Sequence, residues 1–180
     1  MSQKHLEILS AVLPRVSRVG ALVNPANVGN LMQWQYLQAA AKNAAIELVR
    51  ADARTPDEIE QGLAILASGR SQALIVAGDA LFVQQRRQIA ELVMTHRLPT
   101  IALSSEHAEA GSLMSYGPDL RDNFRRAAIY TDRILRGAKP GELAIEQPSK
   151  FEMVINLRTA RALELTIPKE MQFRADRLIE

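Results

Sequence analysis

The chain contains no cysteine, which excludes disulfides and thiolate metal sites and removes thiol usage as a guide to compartment. Its longest apolar runs span only about five or six residues, as in ALIVA at 73–77, against the roughly 20 needed to cross a bilayer. Neither sign of charge dominates. There are 22 Lys+Arg against 20 Asp+Glu, with the arginines spread along the chain, so a pI of about 9.1 implies no basic face and no nucleic-acid partner. Gly-x-Gly-x-x-Gly and Walker A patterns are missing, which removes the usual nucleotide cradle, and no G-x-S-x-G elbow is present. His5, His96 and His107 are widely separated and lack spaced carboxylate partners, so no metal site and no cofactor are expected. Aromatic residues are sparse, at 4%.

What is present is an ordinary globular composition, 47% apolar and 23% charged in 180 residues, enough for one domain or slightly more that buries roughly two thirds of its unfolded surface. The opening MSQKHLEILSAVLP lacks the basic start and long apolar stretch of an export signal. Leu6, Leu9 and Leu13 instead share one face of an amphipathic helix. If the parent protein is exported, its signal is expected to lie ahead of this chain.

Strands and helices then alternate. RVGALV at 18–23 is a buried strand halted by Asn24-Pro25; Asn30 is expected to cap the next helix, on which Leu31, Trp34, Leu37, Ala41 and Ala44 recur at helical spacing. IELVRAD at 46–52 is a second strand. Thr55-Pro56-Asp57-Glu58 is a complete capping box, and its helix stops near Gly69. ALIVAGD at 73–79 is the third strand, a helix carrying Ile89, Leu92, Val93 and His96 follows, and TIALS after Pro99 is the fourth. Ser104-Ser105 cap a brief helix that Gly111 stops, and SLMS is the fifth strand. Asp119 opens a long helix expected to bury Phe124, Ala127, Ala128, Thr131, Ile134 and Leu135. Apolar strands separated by amphipathic helices imply an α/β fold, a doubly wound five-stranded parallel sheet of order 2-1-3-4-5 flanked by helices. Beyond about residue 140 a strand-helix-strand tail follows, in which FEMVINL at 151–157 alternates only partly, as an exposed or edge strand does.

In an open parallel sheet the ligand site lies beyond the carboxyl ends of the strands. Those ends carry Asn24, Pro25, Ala26 and Asn27 after the first strand and Gly78 to Phe82 after the third. Ser104, Ser105 and Glu106 follow the fourth, and Ser115 to Asp119 the fifth. Helix N-termini gathered there favour an anionic group, and a carboxylate at Asp79 suits an ammonium. Asn27, Asn30, Ser105 and Asp119 also read as ordinary helix caps, whereas Asp79 ends a strand and is not required as one. Gly117 reads as a turn glycine needing positive φ, and Tyr116 as at least half exposed. Ser104, Ser105, Glu106 and His107 contain the residue types of a hydrolase triad, but neighbours on one short helix cannot align nucleophile, base and orienter, so no catalytic residue is assigned. A phosphoreceiver domain would need an acidic pair after the first strand and a lysine after the fifth; Asn24-Pro25 and Ser115-Tyr116-Gly117 stand there instead.

The segments KHLEILSAVLPRVSRVGALVNPAN, ALIVAGDALFVQQRRQIAELVMTHRLPTIA and EAGSLMSYGPDLRDNFRRAAIYTDRILRGAKPGELAIEQPSKFEMVINLRTARALELTIP closely resemble the ABC transporter substrate-binding protein family of the type I periplasmic binding protein superfamily. The resemblance covers essentially the whole chain and is most specific at the Y-G-P-D knuckle and the R-G-x-K-P-x-x-L-x-I-E-Q-P tail. It implies a non-catalytic, solute-binding component of an ABC-type importer, whose two lobes clamp a small organic solute such as an amino acid or carboxylate. It further implies a leading helix near the interlobe hinge at 1–14, a periplasmic-binding-protein-like I lobe at 15–137, and a crossover tail at 138–180 that completes an N-terminal lobe outside this chain. The ligand-binding positions it implies are Asn24, Pro25, Ala26, Asn27, Asp79, Leu81, Phe82, Ser104, Ser115, Tyr116, Gly117 and Asp119. Members that bind aromatic amino acids carry a Thr-Asp-Asn-like stretch where this chain has Gly78-Asp79-Ala80. ABC permease subunits are the partners implied for the full-length protein, placed in the periplasm or anchored outside the cytoplasm. With its partner lobe elsewhere, the strand at 151–157 is expected either to exchange into a homodimer or to fold back on its own lobe. The same architecture also serves ligand-sensing domains of regulators and receptors, which is the alternative reading.

Overall fold

The computed structural model describes residues 2–180, leaving aside the side chain of Ser2; Met1, the first residue of the expected leading helix, lies outside the described residues. The chain runs α1 (Ser2–Val12), β1 (Arg18–Val23), α2 (Val28–Asn43), β2 (Glu47–Asp52), α3 (Pro56–Ser68) and β3 (Ala73–Val76). It continues through α4 (Ala80–Gln84), α5 (Arg86–Thr95), β4 (Thr100–Ala102), α6 (Ser105–Ala110), β5 (Met114–Pro118) and α7 (Leu120–Leu135). A 3-10 turn (Pro140–Glu142) precedes β6 (Phe151–Asn156), α8 (Leu157–Ala162), α9 (Lys169–Arg174) and β7 (Arg177–Ile179).

All seven strands form one sheet of order β2-β1-β3-β4-β5-β6-β7. The first five are parallel and stand in the expected order, and two more extend the expected five. Successive residues of the central strands point to opposite faces and feed two apolar layers. Val19, Ala21 and Val23 of β1 and Ala73 and Ile75 of β3 pack in the first layer with Leu6, Leu9 and Val12 of α1 and Leu37 and Ala41 of α2. Leu22, Leu74 and Val76 face the second, with Ile59, Leu63 and Leu66 of α3 and Ile89 and Val93 of α5. Full burial of each Leu or Ile stabilises by about 2 kcal/mol, which is why both faces must be covered. The Thr55 cap forms as expected, and the reciprocal bond of the capping box is displaced by one residue, from the Thr55 to the Arg54 N–H. Thr55 Oγ1 accepts from the Glu58 N–H at 3.2 Å and the Glu58 carboxylate accepts from the Arg54 N–H at 2.7 Å.

The second half departs from expectation in its burial. Of the two outcomes expected for the strand at 151–157, the chain takes the folded-back one, with β6 antiparallel to β5 from Met114↔Ile155 to Pro118↔Phe151 and parallel to β7. Met153, Val154 and Ile155 are buried, so the partial alternation of FEMVINL marks a strand covered on both faces and not an exposed edge. Within one chain β6 therefore has a strand on each side. Conversely α7, expected to bury an apolar face in the lobe, buries none of its residues. Phe124 is 75% exposed and Leu135 82%. The physical reason lies in the sheet. An antiparallel neighbour of β5 requires no helix packed back across the sheet, and residues 119–150 leave and return as one excursion. Its base is closed by the Asp119 N–H donating to the Lys150 carbonyl at 3.0 Å and by the Lys150 ammonium 3.1 Å from the Asp119 carboxylate.

Gly117 also departs from expectation. The positive-φ glycines are Gly111 and Gly137, whereas Gly117 lies inside β5. A Cβ there would overlap the carbonyl oxygen of Leu103 and lie 2.9 Å from its carbonyl carbon. The glycine is required by close backbone approach, not by a turn.

Gly117→Ala should therefore cost about 3 kcal/mol in urea unfolding, because a backbone carbonyl must move, while Gly78→Ala, which meets only the end of the Leu103 side chain, should cost less. Phe124→Asp in this chain should change unfolding free energy by less than about 0.5 kcal/mol. A loss of several times that would mean that the α7 face is packed.

Candidate functional site

The loops that follow β1, β3, β4 and β5 meet at the carboxyl edge of the sheet around a cleft of about 270 Å³. Asn27, Asp79, Ser104 and His107 contribute polar groups, and Val83, Leu103, Pro118 and Leu120 contribute apolar surface. A larger groove of about 510 Å³ lies between α7 and residues 140–148, away from the strand ends. Arg126, Glu146 and Tyr130 of this groove are engaged within the excursion, with Arg126 on Glu146 at 2.9 Å and the Tyr130 hydroxyl donating to the Ala144 carbonyl at 2.7 Å.

The polar wall after β1 and β3 is built from asparagines. Asn27, not Asn30, caps α2: its Oδ1 accepts from the Gly29 N–H at 2.9 Å, and its Nδ2 donates to Asp79 Oδ2 at 2.7 Å. Asn30 lies buried inside α2 and joins the two loops, accepting from the Asn24 N–H at 3.1 Å and donating to the Gly78 carbonyl at 2.9 Å. Asn24 Oδ1 accepts from the Ala26 N–H at 3.0 Å and so shapes the Asn24–Asn27 turn. Asp79 proves to be a cap as well, since its Oδ1 accepts from the Leu81 N–H at 2.9 Å at the start of α4. Ala77, Gly78 and Asp79 join β3 to α4, and Asp79 stands directly before the helix, in the capping position. Each carboxylate oxygen keeps further lone-pair capacity beyond its one intramolecular bond.

Of the twelve positions expected from the resemblance, the cleft brings together Asn27, Asp79 and Ser104. Phe82 is fully buried in the second apolar layer and Leu81 packs against it. These follow Asp79 into a helix that turns them toward the sheet. Tyr116 is mostly buried, not half exposed: its ring stacks on Phe151 at 6.0 Å and meets His5 edge-on at 6.4 Å. The His5 Nε2–H donates to the Tyr116 carbonyl at 2.7 Å, and burial holds that imidazole's pKa below its usual value. Ser115 is buried in β5 without a partner for its hydroxyl. Asp119 caps α7 through the Arg121 and Asp122 N–H groups, and the neighbouring Lys150 ammonium holds its carboxyl below the usual range.

His107 enters the cleft although the sequence marks it only within a dismissed triad. It is 2% exposed, and its Nδ1 has no hydrogen-bond partner among the described residues; nor does the Ser104 hydroxyl. Burial, and then the Arg86 guanidinium, lower its pKa to about 4. Strand-end position pointed to Ser104, but the inward turn of α6 that carries His107 to the same wall has no local signature.

A histidine held neutral by burial makes the fold acid-sensitive. Between pH 6.5 and about 4 the unfolded chain takes up a proton that folded His107 refuses, so the stability fully present above pH 6.5 is lost as pH falls through that window. The loss is about 3 kcal/mol by the linkage relation. His107→Phe should flatten unfolding free energy against pH across this range. Some slope should remain, because His5 is shifted in the same direction.

Comparison with known proteins agrees with this architecture. Residues 1–179 match the family described as ABC transporter substrate binding protein. A tyrosine-binding protein of Clostridioides difficile strain R20291 is 25% identical over 162 residues, covering 90% of this chain and 47% of that protein. A conserved domain protein from Vibrio cholerae superposes with a TM-score of 0.91 at 24% identity, over 98% of this chain and 60% of the other. The ABC domain crystallised with L-Trp from Streptococcus pneumonia gives 0.90 at 23% identity, over 99% and 60%. This chain thus spans about half to three fifths of the length of these relatives. With a family match across 1–179 and a cleft at the carboxyl edge of a periplasmic-binding-protein-like sheet, the chain belongs to the ABC transporter substrate-binding protein family.

Proposed function

We propose that the chain forms one lobe of a solute-binding protein that serves an ATP-driven importer, and that it contributes one wall of a cleft for a small organic solute bearing an ammonium group. The observation that carries this reading is Asp79. Among the described residues it is the one charged side chain lining the cleft, fixed by Asn27 and by the start of α4, with apolar surface from Val83, Leu103, Pro118 and Leu120 beside it. An ammonium has three donors for such a carboxylate, and the apolar surface takes the solute's body. The relatives support the ligand class, one being a tyrosine-binding protein and another crystallised with L-Trp.

The lobe consists, in this reading, of residues 1–118 with 151–180, while 119–150 packs on a second lobe. Bare Phe124, Ile129 and Leu135 on α7, rising from the strand end that borders the cleft, support that division. Ligand closed between two lobes loses its water and gains contacts from both, so one lobe alone binds more weakly. Permease subunits and placement outside the cytoplasm follow from the family; among the described residues no helix is long and apolar enough to cross a membrane.

The test is isothermal titration of the protein with an amino-acid panel, before and after Asp79→Asn. Asparagine keeps an oxygen to cap α4 but removes the charge and the acceptor for Asn27 Nδ2, so affinity for ammonium-bearing solutes should fall about tenfold or more, with a modest drop in melting temperature from the lost Asn27 bond. Unchanged affinity would remove Asp79 from the site, and binding of anionic solutes lacking an amine would reverse the proposed ligand class.

A further inference from the structure

The cleft holds two polar side chains that the fold itself leaves unused. Ser104 Oγ and His107 Nδ1 are buried and have no hydrogen-bond partner among the described residues, although both residues line the cleft with Asp79. A buried donor or acceptor without a partner costs roughly 1–3 kcal/mol, so a solute group that reached both from the cleft would relieve that cost on binding. Packing does not require a histidine here: α6 buries Ala108 beside it, and an apolar ring of similar size would fill the position without an orphaned nitrogen.

Resting on the cleft reading above, we infer that His107 and Ser104 form a specificity subsite for a neutral group that both donates and accepts a hydrogen bond, a hydroxyl, at the end of the solute remote from its ammonium. A neutral imidazole and a hydroxyl each donate and accept, which matches a group that does the same. A carboxylate at this subsite would draw a proton onto His107, against the burial and the Arg86 charge that keep the ring neutral. It would also share the cleft with the Asp79 anion. The neutral group closes both valences without placing a charge there. A solute's own carboxylate, where it has one, is left toward the open side of the cleft.

The experiment uses the ¹⁵N-labelled protein and two probe pairs that differ by a single hydroxyl: L-tyrosine with L-phenylalanine, and L-threonine with L-2-aminobutyrate. The Leu81 amide, which donates to Asp79, reports engagement of the carboxylate, and the His107 imidazole nitrogens report the subsite. At least one hydroxylated probe should shift both signals, while its hydroxyl-free counterpart shifts Leu81 alone. His107→Phe and, independently, Ser104→Ala should each reduce the affinity ratio within that pair about tenfold, and His107→Gln, which restores a donor and an acceptor, should recover part of it. If a hydroxylated probe moves Leu81 and leaves His107 unmoved, or the ratio survives both variants, the subsite is overturned while the cleft stands. If no probe moves Leu81, the cleft reading falls and the subsite with it.

Discussion

The antiparallel pairing of β6 with β5 is the constraint from which the rest of the molecule follows. Once Met114 to Pro118 is matched against Phe151 to Ile155, the chain must leave the sheet at Asp119 and re-enter at Lys150, and everything between is excluded from the lobe's core. The same pairing brings Met153 and Ile155 into the apolar layer that α1 covers, so the two ends of the chain stabilise one face together. It depends in turn on Gly117. Only a residue without a Cβ lets the end of β5 lie against the Leu103 carbonyl, and Ser104 beside that carbonyl begins the cleft wall. One backbone contact therefore sets the last parallel strand pair, the departure of the excursion and part of the site.

Local pattern was enough to read the parallel half of the fold. Buried runs such as ALIV, the Thr55 capping box and the Gly111 stop are written in neighbouring residues, and strand order follows from crossover geometry. The α7 face was legible as an apolar stripe but not as to what covers it, because periodicity shows that Phe124 and Leu135 need a partner and cannot say which one. The FEMVIN strand was legible as a strand, but its covered position was not. Its alternation is blurred because both faces are covered, and its pairing partner lies more than thirty residues upstream, as the match of Pro118 with Phe151 shows.

At the site, residue type and strand-end position were informative for Asn27, Asp79 and Ser104, since these follow directly from where a strand stops. Phe82 was misread because two residues of helix beyond Asp79 are enough to rotate a side chain from the cleft into the core. His107 lies three residues past a strand-end serine, and its direction depends on how α6 packs on β5. That packing is a tertiary fact with no trace in SSEH itself.

The cleft is unequal in how its walls are held. The loops after β1 and β3 are fastened to each other by side chains, with Asn30 between the Asn24 N–H and the Gly78 carbonyl and Asn27 on Asp79, so the carboxylate sits on a rigid side. On the opposite wall Pro118 is held in the sheet by its pairing with Phe151, whereas Leu120 lies in the excursion and has no comparable tie to the Asp79 loop among the described residues. Leu120 is the first residue of α7, whose bare face buries nothing within this chain. A body packed on that face would bear on Leu120 and not on the Asp79 loop. In the two-lobe reading proposed above, the charge that orients a solute would then stay tied to the sheet while the segment beside it met the second lobe, the division of labour that closure around a ligand requires.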